Sequence, residues 1–155
     1  MGIFRWNKNM QYKGEWENCE LSGYGFLIKE NIRHIGYFSH NYKQGFGASF
    51  YYEKYAILGK WEKDVIEGIS VLIILTDLEQ SNNDDTKDNF KIVKTSNGEI
   101  VQNNLDEDEI NEYKSSQEYN NMILLYKNKI YPDFLHMMEN NNVEDSESNN
   151  EDYSG

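Results

Sequence analysis

A glycine-centred motif recurs along the first half of the chain, and it constrains the fold more than any other feature. Tyr12-Lys13-Gly14-Glu15-Trp16 is followed by His34-Ile35-Gly36-Tyr37-Phe38 and then by Ile57-Leu58-Gly59-Lys60-Trp61. The central glycines Gly14, Gly36 and Gly59 stand 22 and 23 residues apart. A second element keeps step with the first. Gly23-Tyr24-Gly25 and Gly45-Phe46-Gly47 begin nine residues after their central glycines, and Gly68-Ile69-Ser70 holds the same offset with Ser70 in the last place. Gly2 precedes Tyr12 by the interval that separates Gly47 from Ile57, so the chain is expected to open on the second strand of an incomplete unit. Self-similarity at such a period marks a repeat architecture, in which each unit is one hairpin or helix pair stacked on its neighbours.

Strand side chains alternate between faces. Tyr12, Gly14 and Trp16 therefore share one face, and Lys13 and Glu15 share the other. A glycine between two rings leaves a gap that a neighbouring ring can fill, and Gly23 and Gly25 are expected to serve the same close approach on the return strand. A lone hairpin is marginal in water. Stacking buries the aromatic row continuously, at about 25 cal/mol per Å² of apolar surface. The opposite face changes along the chain, from Lys13 and Glu15 to Ile35 and Tyr37, then Leu58 and Lys60. An apolar patch thus develops toward the later units and requires a cover, from the chain's own C-terminal segment or from a partner.

The pattern Y-x-G-x-W-x-x-G-x-x-x-G-x-G resembles the MORN repeat. Residues 12–25 match it best, with Cys19 where the family usually has glycine; Asn41 and Asp64 hold that place in the next two units. Asn and Asp accept the left-handed conformation of a tight turn, whereas Cys accepts it less readily, so the first turn is expected to be strained or of another type. The resemblance covers residues 1–76. It implies a mainly β fold, an elongated antiparallel meander of about six or seven strands built from hairpins. MORN proteins of protists and cilia are commonly scaffolds of the cytoskeleton, division rings and axonemes, and membrane-surface adaptor roles are also proposed for the family.

Charge divides the chain in two. The net charge is −12, yet residues 1–78 hold nine basic and nine acidic groups, so the excess lies in the second half. An acidic half disfavours nucleic acid, whose phosphates need clustered Lys and Arg. Cys19 is the only cysteine, which excludes an internal disulfide and fits a reduced, cytoplasmic protein. The longest apolar run, 71–75, is too short to span a bilayer.

The remaining segments read as a polar linker over 77–89, a further β-hairpin over 90–101 turning at Asn97-Gly98, a helical capping segment over 102–139 and an acidic disordered tail over 140–155. The 90–101 hairpin lacks the glycine–ring signature and is not a clear fourth unit. Residues 105–119 are expected to form a helix, with Asp106, Glu107, Asp108 and Glu109 favoured in its first turn. The run 122–126 fits helix or strand, and Pro132 is expected to break the pattern. Residues 122–138 are expected to pack on the sheet's apolar patch.

No local arrangement of nucleophile and base, phosphate loop, cofactor motif or metal-ligand spacing is present in the sequence, so neither cofactor nor metal is expected. His34 falls at a ring position of the repeat and is expected to stand in for a ring. The expected function is a non-catalytic scaffold that binds a protein partner through the aromatic or apolar face of the sheet. Its contact residues would be Tyr12, Trp16, Phe38 and Trp61 at the repeat positions, Tyr24 and Phe46 between the glycines, and Ile35, Tyr37 and Leu58 on the patch. The alternative is a phospholipid-surface adaptor. Its basic groups, Arg5, Lys13, Lys43, Lys60 and Lys63, are interleaved with Glu15, Glu62 and Asp64, which disfavours it.

Overall fold

A computed structural model describes residues 2–7, 9–75 and 90–139. The expected linker over 77–89 and tail over 140–155 lie outside the described residues. Among the described residues, ten strands follow one another in a single antiparallel sheet: β1 (Gly2–Asn7), β2 (Met10–Glu17), β3 (Glu20–Lys29), β4 (Ile32–Ser39), β5 (Tyr42–Tyr51), β6 (Tyr55–Glu62), β7 (Val65–Ile66), β8 (Gly68–Ile74), β9 (Phe90–Ser96) and β10 (Glu99–Gln102). Each pairs with its sequence neighbour, save that β7 and β8 are two halves of one return strand lying against β6. The sheet is therefore longer than the six or seven strands expected, because the 90–101 hairpin joins it through β8 and β9.

The repeat is exact in the hydrogen bonding. Gly2, Gly14, Gly25, Gly36, Gly47 and Gly59 stand opposite one another in turn, a row of glycines running across six strands. At one end of the hairpins the N–H groups of Asn41, Asp64 and Gly98 donate to the carbonyls of Leu21, Lys43 and Ile66. At the other end those of Glu30, Tyr52 and Leu75 donate to Asn9, Asn31 and Lys54. The Asn97-Gly98 turn thus occupies a fourth-unit position although its sequence lacks the glycine–ring signature. Backbone clipping does not require those side chains, which is why the hairpin is legible in the sequence but its place as a further unit is not.

Two expectations about backbone conformation change. The first turn is of the same left-handed kind as the others: Asn18 and Cys19 have φ of 51° and 64°, close to 50° and 71° at His40 and Asn41. Gly23, Gly45 and Gly68 do not serve close ring approach. They have φ of 74°, 98° and 95° and sit where the return strand carries extra residues opposite Glu15, Tyr37 and Lys60. A bulge with positive φ favours glycine for its missing Cβ. Gly25 and Gly47 do serve close approach: a Cβ on Gly47 would lie 2.7 Å from His34 Nε2.

The second half packs on the sheet. The expected helix over 105–119 is interrupted. Its first part, α1 (Glu107–Lys114), is capped by Asp106, whose carboxylate accepts from Glu109 N–H at 2.8 Å. The Ser116 hydroxyl then caps α2 (Gln117–Leu125) by accepting from Tyr119 N–H at 3.1 Å, a local bond that competes with continuing the first helix. Helical structure continues from α2 to residue 139, so Pro132 breaks nothing. A π-helical turn at Tyr126–Ile130 precedes the proline, and Tyr131 N–H donates to Tyr126 O. Widening the helix there accommodates a ring that would otherwise clash one turn back.

Met122, Tyr126, Ile130 and Phe134, spaced by four, are all buried against Ile35, Ala48, Phe50, Ala56, Leu58, Val71 and Ile73. In an α-helix a step of four residues drifts by about 40° around the axis. The π-turn takes more residues per turn and reverses that drift, keeping four side chains on one line. The expected cover of the apolar patch is thus the chain's own helix. The Tyr126 hydroxyl is buried there with no hydrogen-bond partner among the described residues. Tyr126→Phe is expected to raise stability by about 1 kcal/mol, read in a denaturant melt, because it removes an unsatisfied polar group.

Candidate interaction surface

The sheet's two faces are built differently. On the face away from the helix, side chains of alternate strand positions form a continuous row of rings. Phe4, Trp16, Tyr12, Phe38, His34 and Trp61 meet edge-to-face with centroid separations of 5.9, 5.2, 5.2, 5.5 and 4.7 Å. Edge-to-face contact is the favoured geometry for aromatic pairs. The glycine row makes the spacing possible. Tyr12 lies over Gly14, where an added Cβ would come within 2.6 Å of its hydroxyl. Trp16 Nε1–H donates to Gly2 O at 3.4 Å and Trp61 Nε1–H to Gly47 O at 3.0 Å, so each tryptophan covers the glycine of the preceding unit. The Tyr12 hydroxyl donates to Glu15 O at 2.9 Å, and burial pushes its pKa up to about 12.

His34 takes a ring's place in this row, as expected from the sequence. It is fully buried between Phe38 and Trp61, with Nδ1 2.8 Å from Ser49 Oγ and Nε2 without a partner among the described residues. Burial, reinforced by the Lys43 charge, holds its pKa well below the ordinary value, so the folded chain keeps it neutral. The unfolded chain binds a proton below about pH 6.5. Stability is therefore complete above that value and falls as the pH drops below it, by about 1.4 kcal/mol per pH unit. Thermal melts between pH 7.5 and pH 5 are expected to show this loss in the natural chain, and a flatter profile in His34→Phe, which has no proton to take up.

The row opens at its N-terminal end into a groove of 530 Å³, whose lining includes Phe4, Trp6, Met10, Trp16, Leu21 and Leu27 together with Lys29, Lys43 and Asp64. Phe4 and Trp6 remain 46% and 45% exposed, and Trp16 is half-buried. Lys43 sets its Nζ 5.0 Å from the centre of the Trp61 ring. Burial, with Lys29 close by, lowers its pKa, while Asp64 opposes the shift. Its backbone N–H donates to the Asp64 carboxylate at 2.8 Å.

The nine expected contact residues divide between the two faces. Tyr12, Phe38 and Trp61 are buried in the ring row, and Trp16 borders the groove. Ile35 and Leu58 are wholly buried beneath the helix and have no surface to offer. Tyr24 donates its hydroxyl to Asp133 Oδ2 at 2.7 Å and carries Lys129 Nζ 3.9 Å above its ring, so helix residues already engage it. Phe46 packs against the same buried cluster. Tyr37 stays partly exposed beside Tyr24, with ring centroids 5.6 Å apart. Phe4 and Trp6 also line the groove, and the repeat motif does not mark them because they precede the first complete unit. The alternation Gly2-x-Phe4-x-Trp6 was their available signal.

The chain matches no protein-family model and no curated protein. Among the described residues no helix is long and apolar enough to cross a membrane.

Proposed function

We propose that this chain is a MORN-type repeat scaffold, non-catalytic, that binds a protein partner in the groove at the N-terminal end of its ring row. The observation that supports this reading most is the uneven finish of the aromatic ladder. Rings buried at Tyr12, Phe38 and Trp61 give way to half-exposed rings at Phe4, Trp6 and Trp16 around an open concavity. Large, rigid aromatics lining a groove are among the side chains that dominate protein–protein binding. The helix-covered face is already occupied, which leaves the ring face for a partner. The repeat period and the glycine row support membership of the MORN class, and such classes are often cytoskeletal or membrane-associated; fold alone does not fix the role.

A peptide-display selection against the immobilised chain tests the reading. Peptides that bind the natural chain but not a Phe4→Lys, Trp6→Lys double variant would support it. Vesicle co-sedimentation provides the other arm. Binding to phosphoinositide vesicles with no peptide selected would favour the lipid-surface alternative, for which Lys29 and Lys43 are the groove's available cations.

A further inference from the structure

The first and third repeat units share a bulge but carry opposite charge beside it. In the first unit the Glu15 carboxylate accepts from Tyr24 N–H at 2.9 Å, and a Cβ built on Gly23 would collide with that carboxylate. The equivalent residues of the third unit are Lys60, Ile69 and Gly68. An ammonium has no acceptor to offer a backbone amide, and a Cβ on Gly68 would meet nothing within 4 Å. A pocket of 340 Å³ lies at this third bulge, between the sheet and the junction of α1 and α2. Phe46, Ile69 and Met122 give it apolar walls, and Lys60, Glu67 and Glu118 bring charge to it. Tyr113 roofs it from α1 by donating its hydroxyl to Ile69 O at 3.2 Å. The volume falls within the range of small-ligand sites, about 300–1,000 Å³.

We propose that this pocket binds a free α-amino acid with an apolar side chain. This goes beyond the scaffold reading and does not rest on it. The ligand's carboxylate takes the place that Glu15 fills in the first unit, against the Ile69 amide and the Lys60 ammonium. Its own ammonium meets Glu118, and its side chain lies against Phe46, Ile69 and Met122. Charge selects a zwitterion over a bare anion. The pocket is lined by one lysine and two glutamates, and the whole chain carries −12, so an anion alone would be repelled. Lys60 and Glu118 are joined at 3.7 Å between exposed groups. Such a pair is weak, and a ligand bearing both charges can enter between its members and satisfy each. Glu67 is already engaged, since its carboxylate accepts from Asn97 N–H at 2.7 Å.

Titration of the full chain with leucine, followed by NMR, is expected to show saturable shifts of the Phe46, Ile69 and Met122 amides. Glycine, N-acetyl-leucine and leucinamide lack the side chain, the ammonium and the carboxylate in turn, and each is expected to bind several-fold more weakly. The charge-swapped Lys60→Glu, Glu118→Lys double variant keeps the ion pair and gives the third bulge a carboxylate of its own, as Glu15 does in the first. It is expected to melt at the natural temperature and to lose leucine binding. The Phe4→Lys, Trp6→Lys variant, altered only in the peptide groove, is expected to bind leucine as the natural chain does, so the two readings fail separately. Three results would each overturn the proposal: no saturable shift with leucine, N-acetyl-leucine or leucinamide binding as tightly as leucine, or full binding by the charge-swapped variant.

Discussion

Trp61→Ala is expected to destabilise the chain by about 3–5 kcal/mol in a denaturant melt, and Trp16→Ala by distinctly less. Both tryptophans hold the same place in the repeat, and from the motif alone their losses would be equal. Their surroundings differ. Trp61 is 4% exposed, donates to Gly47 O at 3.0 Å and touches His34 at a centroid distance of 4.7 Å. Removing it opens a cavity beneath His34 and Lys43 and leaves the Gly47 carbonyl short of a donor. Trp16 is half-buried beside an open groove, and its bond to Gly2 O is the longer at 3.4 Å. Water can enter where its ring was, so only part of the transfer energy is lost. Equal losses at the two sites would mean that the groove is closed in solution.

The helix makes the second large contribution. Phe134 stacks on Phe50 with centroids 3.9 Å apart and planes at 5°, and it closes the buried stripe that begins at Met122. Phe134→Ala is expected to cost about 3–5 kcal/mol. A chain ending at Gln102 is expected to aggregate and to lose its cooperative melt, because Ile35, Phe50, Leu58, Val71 and Ile73 would all face water. By contrast, the ion pair between Lys60 and Glu118 at 3.7 Å joins two exposed groups. Removing it is expected to change little, since screened surface pairs are weak. A truncated chain that melts at the natural temperature would show that the sheet needs no cover.

Much of this architecture was legible in the residues because the determinants are local. A period of 22 to 23, a turn residue tolerant of positive φ and a ring on either side of a glycine each act within one hairpin, and each recurs. The Asn97-Gly98 turn was legible for the same reason, with φ of 53° and 82°. Other features were not. Gly23 and Gly25 look alike in the sequence, yet one relieves a left-handed bulge and the other makes room for Tyr12. Cys19 shows that neighbouring strands can impose a turn its own side chain resists. Pro132 signals a break only when the helix is α throughout, and the π-turn before it removes the conflict.

The contact residues show the same divide. Tyr24 and Phe46 alternate away from the glycine face, as strand periodicity requires, but periodicity could not say that Asp133 and Lys129 would come back to meet Tyr24 from 109 and 105 positions later. The sequence by itself determined the hairpin unit, the order in which the units stack and which side chains share a face, because those follow from two-residue alternation and from backbone preferences within a few residues. Only the tertiary structure decided which face is covered and where the ring row opens into a groove. Those depend on how far one element lies from another in space, a distance that no local rule of the chain contains.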